Sequence, residues 1–294
     1  LLFMLISLAT TPSDEGFGAL VQGMAAKDAK SFPWPSGYHF TLTYGKKPDG
    51  TFDYDAQELF NRTYLPHSVE NRDGKPYRVT PFWLRGGDTG CLCGGERWVR
   101  DWWNFDVCRP LARFGCDLIQ IDQVTGGNYP TCWSRTHGHD PHEGKWKAAR
   151  FREQLLSMRD MMRKEGREAV VCYEEPSELF GDIVGVQDYR DCESKAVEWC
   201  GTFNYVYHDY VPCFQSNLKR ADLVQQAYCA AEGQMPFVNP DFGEIVQGAP
   251  DPDPAYTRFM RRWVSLYHGE GREYLAFGRR VKPPRIVCGW RDYR

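Results

Sequence analysis

Three carboxylates close three apolar runs of this 294-residue sequence. Asp122 ends CDLIQID (116–122), Glu174 ends EAVVCYE (168–174) and Asp188 ends DIVGVQD (182–188). In a sheet of parallel strands closed by helices, reacting groups stand at the C-terminal strand ends, on the loops that follow. A single acid there more simply caps the next helix or pairs with an arginine. Three at successive strand ends meet the minimum equipment of glycoside hydrolysis, in which one carboxylate stays ionised while its partner holds a proton.

The residues around these acids suit a polyhydroxylated ligand. The long loop after Asp122 carries THGHDPHEGKW (136–146), where His137, His139, Asp140 and Trp146 offer hydrogen bonds and a stacking face. Its H-x-H with an adjacent acid, on a backbone broken by Gly and Pro, is not a strong metal-ligand spacing, so no metal is expected. Gln123 follows Asp122 directly. Glu175 precedes Pro176 and should turn off the strand, and Glu178 falls in the first turn of a short helix. Tyr189, Arg190 and Asp191 follow Asp188; an internal Asp–Arg pair is the plainer reading of that segment. Tyr207 and His208 in YVYHDYVP (205–212) and Trp83 in RVTPFWL (78–84) complete the candidate sugar contacts.

Other chemistries lose their main support. There is no G-x-S-x-G, P-loop or H-E-x-x-H, and GGDTG (86–90) lacks dinucleotide spacing, so no cofactor is expected. A net charge of −3 argues against a nucleic-acid or membrane-surface partner acting through bulk charge. No apolar run reaches the ~20 residues of a membrane span. The eleven cysteines include one close pair, Cys91 and Cys93, in a C-x-C spacing that is not a zinc knuckle. They read mostly as reduced, buried thiols. The 10 Trp, 16 Tyr and 17 Phe fit either a core or a sugar site.

Positioning these residues requires alternating strands and helices. Strands are predicted at 1–8, 37–45, 78–84, 116–122, 168–174, 182–188, 202–208 and 234–239. Helices are predicted at 17–31, 54–64, 97–113, 145–165, 218–232 and 254–268. Within them, Trp98, Trp102 and Phe105 share one face of 97–113, and Phe151, Leu155, Met158 and Met162 form a stripe. Eight strands in this order predict an α/β fold, a (β/α)8 TIM-type barrel spanning 1–294, irregular or truncated at its N-terminus. Leu1 as the first residue fits a piece of a longer chain, with 1–36 belonging partly to a preceding segment.

FGCDLIQIDQVTGG, THGHDPHEGKW, CYEEPSE, YVYHDYVP and YLAFGRRVKPP together resemble a bacterial group of glycoside-hydrolase-like barrel domains of unknown function. The resemblance covers about residues 37–284 and extends, more distantly, to α-galactosidase-type and endo-α-N-acetylgalactosaminidase-type barrels. It implies cleavage of an α-linked glycan, with the nucleophile at Asp122. The acid/base maps onto Glu174 in one branch and Asp188 in another. It also implies a β-sandwich preceding the barrel. A non-catalytic carbohydrate-binding barrel is the rival reading, and a metal-dependent hydrolase built on the His-rich loop is a third.

Overall fold

The structure, a computed structural model, describes residues 14–26, 30–81, 84–125, 129–189, 202–216, 223–237, 254–276, 278–279, 286–288 and 291–293. The predicted strand 1–8 and the candidate residues Trp83, Arg190 and Asp191 lie outside them. The chain divides into two compact units, one of residues 1–188 with 238–245 and one of 189–237 with 246–294.

The first unit opens with helix α1 (Asp14–Ala25) and an antiparallel layer. The alternating run at 37–45 becomes two strands, β1 (His39–Thr41) and β2 (Thr43–Lys46), which part at the fully buried Leu42. Strand β3 (Phe52–Asp55) pairs antiparallel with β2, and the short helix α2 (Gln57–Leu59) follows it. The Gly-rich stretch 86–90 leads into β5 (Thr89–Cys91), which lies between β1 and β4 (Arg78–Val79), antiparallel to both.

The helix expected over 97–113 is present as α3 (Arg97–Trp102), a wide turn at Trp103–Cys108, and α4 (Arg109–Phe114). Pro110 has no N–H to donate and its ring crowds the carbonyl four residues back, which a widened turn relieves. The widening also moves the buried face. Val99, Trp103, Cys108 and Leu111 point inward, whereas Trp98 and Phe105 are exposed.

Beyond α4 the chain becomes parallel. Strand β6 (Leu118–Ile121) pairs with β7 (Val170–Tyr173) in the register Leu118↔Val170 to Ile121↔Tyr173, joined by helix α5 (Lys145–Lys164). That helix buries the expected stripe of Phe151, Leu155, Met158 and Met162. On one side, Gln120 and Asp122 donate their backbone N–H groups to the carbonyls of Pro33 and Pro35 at 3.1 and 3.0 Å. Prolines serve there because that edge has only to accept. On the other side, Gly185 N–H reaches Val171 O, and Glu174 bridges in parallel to Asp188, the last residue of β8 (Gln187–Asp188).

The second unit holds α6 (Thr202–Tyr207), β9 (Cys213–Phe214), α7 (Leu223–Ala231), α8 (Pro254–His268), α9 (Arg272–Leu275) and an antiparallel pair, β10 (Ile286–Cys288) and β11 (Arg291–Tyr293). The predicted strand 202–208 is a helix. Its buried polar residues, Asn204 and His208, are four apart, so the apparent alternation of TFNYVYH masked a helical period. The predicted strand 234–239 is represented by a single parallel bridge, Phe214↔Met235, with Pro236 unable to extend the ladder. The described residues therefore form a mixed helix/sheet fold with parallel βαβ units. They do not form a complete ring of eight parallel strands.

Candidate functional site

Because β6 and β7 run parallel and in register, Asp122 and Glu174 leave the sheet at the same end, and Asp188 joins them through its bridge to Glu174. Asp122 is half-buried, Glu174 is 5% exposed and Asp188 is fully buried. Gln120 lies two residues before Asp122 and so on the same face of the strand. Its Nε2 donates to Asp122 Oδ1 at 3.3 Å and to Asp188 Oδ2 at 3.4 Å, while the Cys172 thiol donates to its Oε1. One buried amide thus touches two of the three carboxylates. The third is tied to the same strand end: Gln123 N–H donates to Glu174 Oε2 at 2.7 Å, and Thr125 Oγ1 donates to the Glu174 carbonyl.

The backbone around the acids is constrained. Gln123 and Glu175, each directly after a candidate carboxylate, have φ of 56° and 62°. Side-chain-bearing residues adopt that left-handed region at a cost. Gly37, with φ of 53°, lies so close that a Cβ there would stand 2.2 Å from the Asp122 carbonyl oxygen. Its own carbonyl accepts the indole N–H of the buried Trp103 at 2.7 Å.

A cavity of about 390 Å³, in the range of small-ligand sites, is reached by Val124, Thr125 and Glu175, which follow Asp122 and Glu174 in the chain; the three carboxylates themselves are not among its lining residues. Tyr38, Thr125, Tyr129, Trp146, Lys147 and Glu175 are among its lining residues. Of the candidate sugar contacts, Trp146 and Glu175 therefore reach it. Asp140 is exposed, and so is Glu178, which opens a short helical turn (Glu178–Phe180) as expected.

His137 and His139 do not line this cavity. His139 Nε2 is 3.1 Å from Cys93 Sγ and His137 Nδ1 is 3.4 Å from Cys132 Sγ. The four ligand-type atoms all lie within 4.8 Å of one another. The hydrogen bond from Cys93 and then that with His137 hold the Cys132 thiol well below its ordinary range, against its burial. That same bond and burial push Cys93 up. Burial pulls His137 down, but its contact with Cys132 raises it overall.

In the second unit, Tyr189 is buried with its ring stacked on Phe203 at 5.9 Å, and Phe203 also meets Tyr207 at 4.8 Å. His208 is buried, with Nδ1 and Nε2 each 3.2 Å from a carbonyl, those of Gly278 and Gly233. These residues pack inside their own unit.

Sequence reasoning passed over Gln120, Tyr38, Tyr129 and Cys132, and set Cys93 aside because its C-x-C pair is not a zinc knuckle. Gln120 alone carried a local signal, its two-residue spacing from Asp122. Eight of the described cysteines are buried, as read from the sequence.

The model of a family described as a domain of unknown function, DUF6259, matches residues 51–216. No curated protein matches the chain. Among solved structures, the α-N-acetylgalactosaminidase NagBb from Bifidobacterium bifidum superposes with a TM-score of 0.54 at 15% identity, over 85% of this chain and 36% of that one. The α-galactosidase TtGalA from Thermus thermophilus, in complex with p-nitrophenyl α-D-galactopyranoside, gives 0.52 at 14% identity, over 85% and 50%. A cycloalternan-degrading enzyme from Trueperella pyogenes gives 0.50 at 14%, over 92% and 41%. At these identities the likeness is one of fold, and the chain spans half or less of each of these structures.

Proposed function

The chain belongs to the DUF6259 family, and on that premise we propose that it is a glycoside hydrolase acting on an α-linked glycan. The observation that carries this reading is the convergence of Asp122, Glu174 and Asp188 on one strand end, joined by the Gln120 amide and the Gln123 N–H. Glycosidase folds among the similar structures support it. Asp122, half-buried beside the others, attacks the anomeric carbon. Glu174 gives its proton to the leaving oxygen, and as a carboxylate it then takes a proton from the water that releases the sugar. Trp146 and Tyr129, on the wall of the cavity, offer ring faces to the sugar.

A second assignment has its own observation. Gln120 bridges Asp122 to Asp188, not to Glu174, so the shared amide sets Asp188 close to Asp122 and makes it the second candidate for the proton donor. The reaction itself is tested at Asp122. Asp122→Asn should lower turnover of an aryl α-glycoside by roughly 10³-fold or more, with circular dichroism unchanged. Added azide should restore product formation in Asp122→Gly as the glycosyl azide. Near-normal turnover by Asp122→Asn would remove the nucleophile assignment. Glycan binding with no hydrolysis by the wild-type chain would favour the non-catalytic reading.

A further inference from the structure

Cys93 lies two residues beyond β5, whereas Cys132, His137 and His139 lie on the loop between β6 and α5, 39 or more positions further along the chain. We propose that these four residues form a closed structural site for a zinc ion. This proposal does not depend on the glycosidase reading.

Geometry, tautomers and burial all point the same way. A tetrahedral zinc with Zn–S near 2.3 Å and Zn–N near 2.0 Å sets ligand atoms roughly 3.3–3.8 Å apart. The 3.1 and 3.4 Å sulfur–nitrogen approaches, within a cluster no wider than 4.8 Å, need little adjustment to meet that. The far nitrogen of each ring faces a backbone carbonyl: His137 Nε2 is 3.2 Å from Pro66 O, and His139 Nδ1 is 2.7 Å from Asp140 O. A carbonyl only accepts, so each far nitrogen carries a proton, which leaves the near nitrogen, the one facing the thiols, as the atom that would ligate a metal. That is the outer-shell arrangement that orients metal-bound histidines. Both sulfurs are buried, and two Cys with two His satisfy zinc without an open coordination position.

The surrounding chain gives such a site a purpose. Between Tyr129 and Gly144 the described backbone has neither helix nor strand. Loops of this length without helix or strand are uncommon in compact domains. Zinc would fasten it to the segment after β5, where Gly95 lies so close to His139 that a Cβ would stand 2.2 Å from the ring. His139 in turn stacks on Trp146, with centroids 3.8 Å apart and planes 14° from parallel. The metal would therefore hold one wall of the cavity in place.

The test uses the whole chain, expressed with zinc and purified under reducing conditions without chelator. About one zinc per chain is expected by elemental analysis. Cobalt exchanged for zinc should give the visible bands of a tetrahedral ion and thiolate-to-cobalt charge transfer. Cys132→Ser and His137→Gln should lose the metal, and Cys91→Ser, a buried thiol outside the cluster, should keep it. A folded wild-type chain that takes up neither ion would overturn the proposal. So would a Cys93–Cys132 disulfide in the mass of the reduced-purified protein, or metal retained fully by folded Cys132→Ser.

Discussion

Gly37→Ala probes the link between backbone geometry and Asp122, the proposed nucleophile. The new Cβ would stand 2.2 Å from the Asp122 carbonyl oxygen and 2.8 Å from Val124 Cγ2, where ordinary contact begins at 3.4 Å. Roughly 1 Å of separation must open, and the flexible Val124 side chain relieves only its own share. Holding alanine at a φ of 53° costs a further ~1–2 kcal/mol. Together with the disturbed packing, a loss of about 2–4 kcal/mol is expected. At about 2–4 °C per kcal/mol for a chain of this size, that is a fall in Tm on the order of 10 °C. The same displacement moves Asp122, and a 1 Å misplacement of a reacting group costs about 10²-fold in rate.

Two assays separate these effects. Differential scanning fluorimetry reads the Tm, and initial rates on the aryl α-glycoside that the wild-type chain turns over fastest read kcat. An unchanged Tm would refute the steric reasoning. A lowered Tm with wild-type kcat would refute the placement of Asp122 at the reacting bond.

The two acid/base assignments separate by leaving group: the variant of the true proton donor, Glu174→Gln or Asp188→Asn, should lose roughly 10²–10⁴-fold on a poor leaving group but far less on dinitrophenyl glycosides. Equal losses on both substrates would mark that residue as structural. Burial holds His39 neutral, with its pKa pulled down to about 4. Between its ordinary 6.5 and about 4, the unfolded chain binds a proton that the folded chain rejects, so stability should fall as pH falls through that window. Denaturant titrations at pH 7 and pH 5 should differ by about 2 kcal/mol more in the wild type than in His39→Gln, and equal differences would refute it.

What the sequence disclosed was local. Asp122, Glu174 and Asp188 were legible because an apolar run that stops at an acid marks its own strand end. The α5 stripe was legible because helical spacing is written in consecutive turns. The helix at 202–208 was not, since seven residues of mixed Tyr, Phe, Val and Asn satisfy both periods. Pro33 and Pro35 gave no strand signal, yet they line β6 because only their carbonyls are needed there. Cys93 stood in a C-x-C pair that is not a zinc knuckle and Cys132 in no motif: 38 residues separate them, and only the fold closes that distance.

The left-handed residues are the strongest reason to treat the strand end as more than a structural boundary. A chain that had only to leave the sheet could do so with Gly or Asn, at little cost. Here Gln123 and Glu175 carry full side chains at φ of 56° and 62°, each an expense on the order of 1–3 kcal/mol. Their positions are equivalent, since Ile121 pairs with Tyr173 and each strained residue lies two beyond its member of that pair. The turn at Gln123 brings its N–H to Glu174 Oε2, and the turn at Glu175 brings that residue to the cavity wall. Strain repeated at matching positions, next to two carboxylates and a cavity, is what a site holding its reacting groups in a fixed geometry requires. Arg85, His142 and Ala169 share the left-handed region elsewhere, so what distinguishes Gln123 and Glu175 is their matched placement beside the two acids, not strain alone.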